Sequence, residues 1–352
     1  MTGSPDMTHV TLAVLTYDGR ELLEATLPSV VAQEYDGEYT VLVVDGGSRD
    51  GTAEFVRERW PQIRVVELPE NRGVAAALNR AVQESPGEFV ALLNNDVELE
   101  PGWLAPLVGA LRAHPEAASA SGKLMRYHDR ERIDAAGDVL LRSSAVINRG
   151  AGELDRGQYD HAEAVFGSCA GAALFRRAAF DAVGLFDVSY FAYLEDVDWA
   201  MRAQLAGFEA RYEPAAVGYH MGGATTSRRS RFFGRLQRRN QLLLVVKTFP
   251  AGLIARHGWR IAATHALWLA ASVRDGMVRE HLRAWVEVAT LLPATLRKRR
   301  IVQRSRLRPV AQVEQLMVAG LPASVSWSHR LLFELAPLTA RRRSSRTSPR
   351  QR

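Results

Sequence analysis

Apolar and polar positions alternate in blocks along the first hundred residues. Residues 10–15 are apolar except for Thr11 and lead into Thr16-Tyr17-Asp18-Gly19, the pattern of a strand buried on both faces. Leu22, Leu23, Leu27, Val30 and Val31 then recur at near-helical spacing. Residues 40–44 predict a second buried strand, followed by Asp45-Gly46-Gly47-Ser48-Arg49-Asp50-Gly51-Thr52, rich in residues that tolerate unusual backbone angles. A helix over 53–60 and a strand over 63–68 come next, and Asn71-Arg72-Gly73 opens a helix over 74–84. A fourth run, Phe89-Val90-Ala91-Leu92-Leu93, gives way abruptly to Asn94-Asn95-Asp96. Strand, loop and helix repeated four times predict parallel strands joined by right-handed crossovers.

Every one of these strands ends in polar residues: Thr16-Tyr17-Asp18, Asp45, Glu70-Asn71-Arg72 and Asn94-Asn95-Asp96. Ligands of open parallel sheets bind beyond the carboxyl ends of the strands. The repetition therefore predicts one sheet edge lined for a nucleotide, with Asp96 placed to set a metal ion against a phosphate. Turn formation explains Asp45 and Asn94-Asn95-Asp96 equally simply when each is taken alone. Neither G-x-G-x-x-G after the first strand nor a P-loop is present, which argues against dinucleotide oxidoreductases and P-loop NTPases.

Beyond Trp103 the pattern predicts a helix over 104–114 and a strand over 117–125. Residues 129–160 mix charge and glycine and read as a long excursion bordering a substrate. Small residues in Gly167-Ser168-Cys169-Ala170-Gly171-Ala172-Ala173 allow close approach, by a packed helix or by a ligand. Glu195, Asp196 and Asp198 open a helix that Gly207 ends. Acids suit any first helical turn. Here they sit among Tyr190, Phe191, Tyr193, Leu194 and Trp199, and partial desolvation of a carboxylate raises its proton affinity, as a general base requires. A last strand over 215–220 ends in His220, a candidate metal ligand or a structural histidine.

Composition adds an asymmetry to this picture. The chain of 352 residues carries a net charge of +6, but from Arg228 onward it holds 26 Lys and Arg against 5 Asp and Glu. The preceding residues hold 19 against 34, so the two parts are expected to do different work. The single Cys169 excludes an internal disulfide and suits a reducing compartment. Residues 1–6 do not read as a secretory signal, and no apolar run reaches the ~18–20 residues needed to cross a bilayer. A cytoplasmic location is expected, with peripheral attachment to the cytoplasmic face of the membrane a further candidate.

In their order, these segments resemble the inverting glycosyltransferases of family 2, which have the GT-A fold. Val14-Leu15-Thr16-Tyr17, residues 43–52, Asn71-Arg72-Gly73, Leu93-Asn94-Asn95-Asp96, Gly171-Ala172-Ala173-Leu174, Leu194-Glu195-Asp196-Val197-Asp198 and Tyr219-His220 carry the resemblance, over roughly residues 9–250. It is strongest to the rhamnosyltransferase-type subgroup of surface polysaccharide and cell-wall assembly. It implies an α/β fold with a mostly parallel central sheet, a nucleotide-sugar half over 9–102 and an acceptor half over 103–227. It further implies that Thr16, Tyr17, Asp45, Arg72, Asn94 and Asn95 bind the nucleotide sugar. Asp96 and His220 would hold Mg2+ or Mn2+. Asp196 would be the catalytic base, with Glu195 beside it. The donor would be dTDP-rhamnose or a UDP-sugar, the acceptor a glycan or a polyprenyl-linked glycan. The chain departs from the family pattern at Asp18 and Gly46, where Asn is usual, and keeps only the last acid of the D-x-D position.

Residues 228–335 read as a basic helical extension, residues 1–8 and 336–352 as disordered ends. Val278, Leu282, Trp285, Ala289 and Leu292 make one apolar helical stripe, suited to packing on the catalytic part or, with Trp259, Trp268 and the arginines, to an anionic membrane surface. The rival class is a binding protein whose basic tail holds nucleic acid; it leaves the strand-end acids unexplained, and nucleic acid is not the expected partner.

Overall fold

A computed structural model describes residues 9–222 and 230–319. The ends expected to be disordered, residues 1–8 and 336–352, lie outside the described residues, as does the junction at 223–229.

The first half follows the sequence pattern closely. In order come β1 (Val10–Thr16), α1 (Arg20–Val31), β2 (Tyr39–Asp45), α2 (Thr52–Arg59), β3 (Arg64–Glu67), α3 (Val74–Glu84) and β4 (Phe89–Asn94). β3, β2, β1 and β4 lie side by side in parallel, as expected of strands joined by helical crossovers. Alternate residues serve opposite faces. Leu12, Val14, Ala91 and Leu93 pack against α1, whereas Ala13, Leu15, Val90 and Leu92 pack against α3.

The second half is mixed rather than parallel. β5 (Val97–Leu99) and α4 (Leu104–Ala113) precede β6 (Ala117–Arg126), β7 (Asp129–Ala135), β8 (Asp138–Leu141), β9 (Val146–Asn148), β10 (Glu163–Val165) and β11 (Ala172–Arg176). β11 inserts between β4 and β6, antiparallel to both. Next come α5 (Arg177–Val183), α6 (Glu195–Leu205) and β12 (Glu209–His220), which runs parallel to β6. Between β6 and β11 the chain makes an excursion over 127–171, opened by the short β6–β7 hairpin, in place of a helical crossover, and the two strands lie antiparallel. β6 and β12 nonetheless share the direction of β4, so their carboxyl ends reach the same edge as those of β1, β2 and β4.

The excursion over 129–160 is a set of hairpins. β7 pairs with β6, and β8 and β9 form a small sheet completed by β13 (Met317–Val318) from the far end of the chain. Lys123, buried in β6, ties the excursion down through Asp155 (2.9 Å) and Asp160.

The basic extension supplies α7 (Arg231–Thr248), α8 (Ala251–Arg274), α9 (Val278–Arg304) and α10 (Val310–Gln315) before β13. α6 lies between this group and the sheet. Trp199 and Ala203 face the sheet, whereas Val197, Ala200, Met201 and Leu205 pack with Leu244, Phe249, Leu253 and Val302. Packing on the first part is thus shared by α7, the start of α8 and the end of α9. In α9 the apolar stripe points away: Leu282, Trp285 and Leu292 are exposed, and the buried positions are His281, Ala284, Thr295 and Val302.

Candidate active site

β1, β2 and β4 end level with one another, with Thr16 opposite Asp45 and Leu15 opposite Asn94. The loops beyond are cross-braced. Asp45 Oδ1 accepts from the Gly47 and Ser48 N–H groups (3.1 and 2.8 Å) and from the Ser48 hydroxyl (2.6 Å). The Asp18 N–H donates to Ser48 Oγ (2.8 Å), and Asp18 Oδ1 accepts from the Arg49 N–H (2.7 Å). Asp18 has φ +45°, a left-handed position that Asp and Asn both tolerate, which accounts for an aspartate where the family has Asn. Tyr17 is half-buried and packs over the Gly46 backbone.

Asn95 turns inward. Its amide donates to Thr16 Oγ1 (2.9 Å) and its carbonyl accepts from Thr26 Oγ1 (2.9 Å), so Thr16 and Asn95 fix the relation of β1 to β4. Asn94 turns the other way, toward Gly171, where an added Cβ would stand 3.1 Å from its amide nitrogen. The Asn94 N–H also donates to the Gly171 carbonyl (2.8 Å). The small-residue segment therefore serves close packing by the protein's own groups. Gly167 admits Ala200 of α6, and Gly171 admits Asn94. Arg72 is largely exposed and pairs with Glu70 (3.3 Å) on the loop that meets Phe191 through Gly73.

The same segment reaches the candidate base. The Ala170 N–H donates to Asp196 Oδ2 (3.3 Å) and the Val197 N–H to Asp196 Oδ1 (2.8 Å). Burial raises the proton affinity of Asp196 despite these two donors. Glu195 is buried and its Oε2 has no hydrogen-bond partner among the described residues; burial, then the neighbouring Asp196, push its carboxyl well above the ordinary range. Asp138 at the start of β8, which the sequence pattern did not single out, is also buried and raised by the same two causes. Burial and the charges of Asp196 and Asp138 likewise push the Cys169 thiol up. Burial thus raises all three carboxyls, and Asp196 is the one with two backbone donors favouring its charged form.

The loop before α6 is strained. Phe191, Tyr193 and Leu194 all have positive φ (64°, 70° and 65°) without being glycine, each costing on the order of 1–3 kcal/mol.

Asp96 and His220 come together, with His220 Nε2 3.4 Å from Asp96 Oδ2. Asp134 of β7, also not singled out from the sequence, meets the other ring nitrogen, Nδ1, at 2.7 Å. Burial opposes a charge on His220, but Asp134 and Asp96 outweigh it and push the imidazole up to about 10. A site that holds a proton between two carboxylates can exchange it for a cation. Two adjacent ligands of one octahedral ion, each ~2.1 Å from it, stand about 3 Å apart, close to the Asp96–His220 spacing. Among the described residues no group of three or more His, Cys, Asp or Glu gathers as a metal site. Asp96 and His220 are the pair that could serve as ligands, with phosphate oxygens suited to the remaining positions.

Comparison with known proteins bears on this geometry. Residues 11–184 match the family model described as glycosyl transferase family 2. Over 239 residues the chain is 30% identical to an N-acetylglucosaminyl-diphospho-decaprenol L-rhamnosyltransferase of Mycobacterium tuberculosis, covering 62% of this chain and 77% of that protein. The chain belongs to glycosyltransferase family 2. Within the family it is rhamnosyltransferase-like. It is also 26% identical over 219 residues to a poly-beta-1,6-N-acetyl-D-glucosamine synthase of Staphylococcus epidermidis, covering 59% of this chain and 48% of that one. Two solved structures share its GT-A fold. GalNAc-T7 with UDP, GalNAc and Mn2+ superimposes with a TM-score of 0.59 at 13% identity, over 83% of this chain and 58% of that one. A mannosyltransferase of Pyrobaculum calidifontis with GDP-Man and Mn2+ gives 0.51 at 23% identity, over 84% and 85%. This family 2 glycosyltransferase thus carries its strand-end acids on the fold that sequence resemblance implied.

Proposed function

We propose that the enzyme is a metal-dependent, inverting transferase that moves a sugar, with rhamnose favoured, from a nucleoside diphosphate to a hydroxyl of a lipid-linked glycan. The observation that carries this is the Asp196 carboxylate, buried and fixed by the Ala170 and Val197 N–H groups, on the edge where Asp96 meets His220. Thr16, Tyr17, Asp45 and Arg72 hold the nucleotide, Asp45 accepting from the pyrimidine, and Asn94 and Asn95 shape the floor beneath the sugar. Asp96 and His220 hold the cation, Mg2+ or, better suited to imidazole, Mn2+. When bound, such an ion stabilises negative charge on the departing diphosphate.

Asp196 takes the proton of the acceptor hydroxyl as its oxygen bonds to the anomeric carbon from the face opposite the diphosphate. The bond from that carbon to the diphosphate oxygen breaks, and the electron pair leaves with the nucleoside diphosphate. A single displacement inverts the anomeric centre. Burial and the neighbouring Asp196 push the Glu195 carboxyl up, which favours its protonated form beside the base. The relative named for L-rhamnosyl transfer and for a diphospho-decaprenol supports rhamnose and a polyprenyl-linked acceptor. dTDP-rhamnose is the first donor to test and UDP-sugars the next.

A lipid-linked acceptor gives the outer helices a use. Trp259 (64% exposed), Trp285, Leu282, Val286 and Ile301 stand out from α8 and α9 among arginines. We assign this face to an anionic membrane surface, on which the enzyme rests peripherally. Among the described residues no helix is long and apolar enough to cross a membrane.

Screening dTDP-rhamnose, UDP-sugars and GDP-sugars for thermal stabilisation and hydrolysis, with Mg2+ or Mn2+, tests the donor assignment. A metal-dependent response to dTDP-rhamnose is expected. Indifference to every nucleotide sugar would contradict it.

A further inference from the structure

The loop that delivers Asp196 is held in a conformation it would not adopt alone. Phe191 (φ +64°, ψ −64°) centres a γ-turn of the rare, positive-φ kind, closed by the Ala192 N–H on the Tyr190 carbonyl (2.8 Å). Tyr193 and Leu194 follow in left-handed conformations, and α6 begins at once.

Surrounding groups hold this path from two sides. On the nucleotide side, the Ala75 N–H at the start of α3 donates to the Phe191 carbonyl (3.2 Å). Gly73 passes so close that an added Cβ would lie 2.3 Å from that oxygen. On the other side stands Asn240 of α7, fully buried. Its Nδ2 donates to the carbonyls of Tyr190 (3.1 Å), Ala192 (2.8 Å) and Tyr193 (2.7 Å). Arg239 donates through Nε to Asn240 Oδ1 (2.8 Å), fixing the amide, and through a terminal nitrogen to the carbonyls of Ser189 (3.1 Å) and Tyr190 (2.6 Å). Four carbonyls of the segment 189–193 therefore receive their side-chain donors from two consecutive residues of α7.

With Asp196 as the base of sugar transfer, the reading on which this rests, we propose that Asn240 is a positioning residue. It holds the strained loop so that the Asp196 carboxylate meets the acceptor hydroxyl. The arginine-rich extension is then part of the catalytic apparatus rather than an appendage to it. Without the amide, three buried carbonyls lose a donor, the loop relaxes toward ordinary backbone angles, and α6 starts from a shifted point. A displacement of about 1 Å at the base suffices for a loss near 100-fold.

The test uses the full chain with Mn2+ and whichever of dTDP-rhamnose or a UDP-sugar the wild type turns over. Asn240→Ala is compared with Thr248→Val, which removes a buried α7 side-chain bond to the Leu244 carbonyl (2.8 Å) away from the loop. For Asn240→Ala, kcat is expected to fall about 10–100-fold. Its Kd for UDP or dTDP, measured by calorimetry, should stay within about twofold of wild type, because the nucleotide loops are untouched. The acid limb of its kcat–pH profile should move to lower pH as water reaches Asp196. Thr248→Val should lose melting temperature without either change. Should Asn240→Ala fail to fold, Asn240→Ser, which keeps one donor, carries the same expectation at smaller size. Undiminished kcat in a folded Asn240 variant beside an active wild type overturns the positioning role alone. So does a kcat loss no larger than that of Thr248→Val at equal loss of melting temperature. A wild type that transfers no sugar overturns the transferase proposal as well.

Discussion

Asp196 and His220 owe their chemistry to what occupies the far side of each. Asp196 has backbone donors on both oxygens, whereas burial pushes the Glu195 and Asp138 carboxyls well above the usual range. His220 has Asp134 on Nδ1, which orients the ring and directs Nε2 toward Asp96. Replacing Asp134 by Ala should therefore weaken Mn2+ binding, measured by calorimetry with UDP present, by about 10–100-fold. Unchanged Mn2+ affinity would separate His220 from the metal site. Asp45, Asp96, Asp196 and His220 could be picked out from the sequence because each follows an apolar strand or opens a helix at an abrupt change of polarity. Asp134 and Asp138 could not. They flank Ala135-Ala136-Gly137 inside a stretch without periodicity, and only the hairpin of β6 with β7 carries Asp134 to His220. Asn240 lies among arginines on a helix whose partner loop is some fifty residues earlier, so nothing local marks it.

Among the elements, α6 is the most constrained. It is buried on nearly every side, between the sheet and α7. In its first turn lies Asp198, fully buried, which accepts from Tyr190 (3.1 Å), Arg202 (2.9 Å) and Lys247 (2.8 Å). Lys247 and Lys298 also hold Asp187, outweighing the effect of burial and keeping its carboxyl below the usual range. The outer pair, α8 and α9, contrasts with this. Its exposed stripe of Trp259, Leu282, Trp285 and Val286 has arginines on either flank. Flotation with vesicles of phosphatidylcholine and phosphatidylglycerol should recover the wild type, whereas Trp259→Glu/Trp285→Glu should stay behind. Equal recovery of both in solution would remove the membrane from the account. The four parallel strands were legible because apolar runs of strand length alternate with helical spacing. The small sheet was not, because β9 has three residues and β13 two, and β13 arrives from far along the chain.

At the scale of the molecule, the acidic first part and the basic last part are one machine with two faces. The acidic part gathers the residues proposed for nucleotide, metal and base along one sheet edge, and the basic part braces the loop before Asp196 with α7 while exposing apolar residues of α8 and α9. Charge counting separates the two parts but does not reveal that the second meets the first through an apolar face against α6 and through side chains that bond to loop carbonyls. The proposed mechanism stands or falls with Asp196 as the base of an inverting displacement. The decisive measurement is the single-turnover rate of Asp196→Asn at saturating donor and Mn2+. A rate at least about 1,000-fold below wild type is expected, within the range for loss of a general base, with donor binding retained. Transfer by Asp196→Asn at the wild-type rate would contradict it.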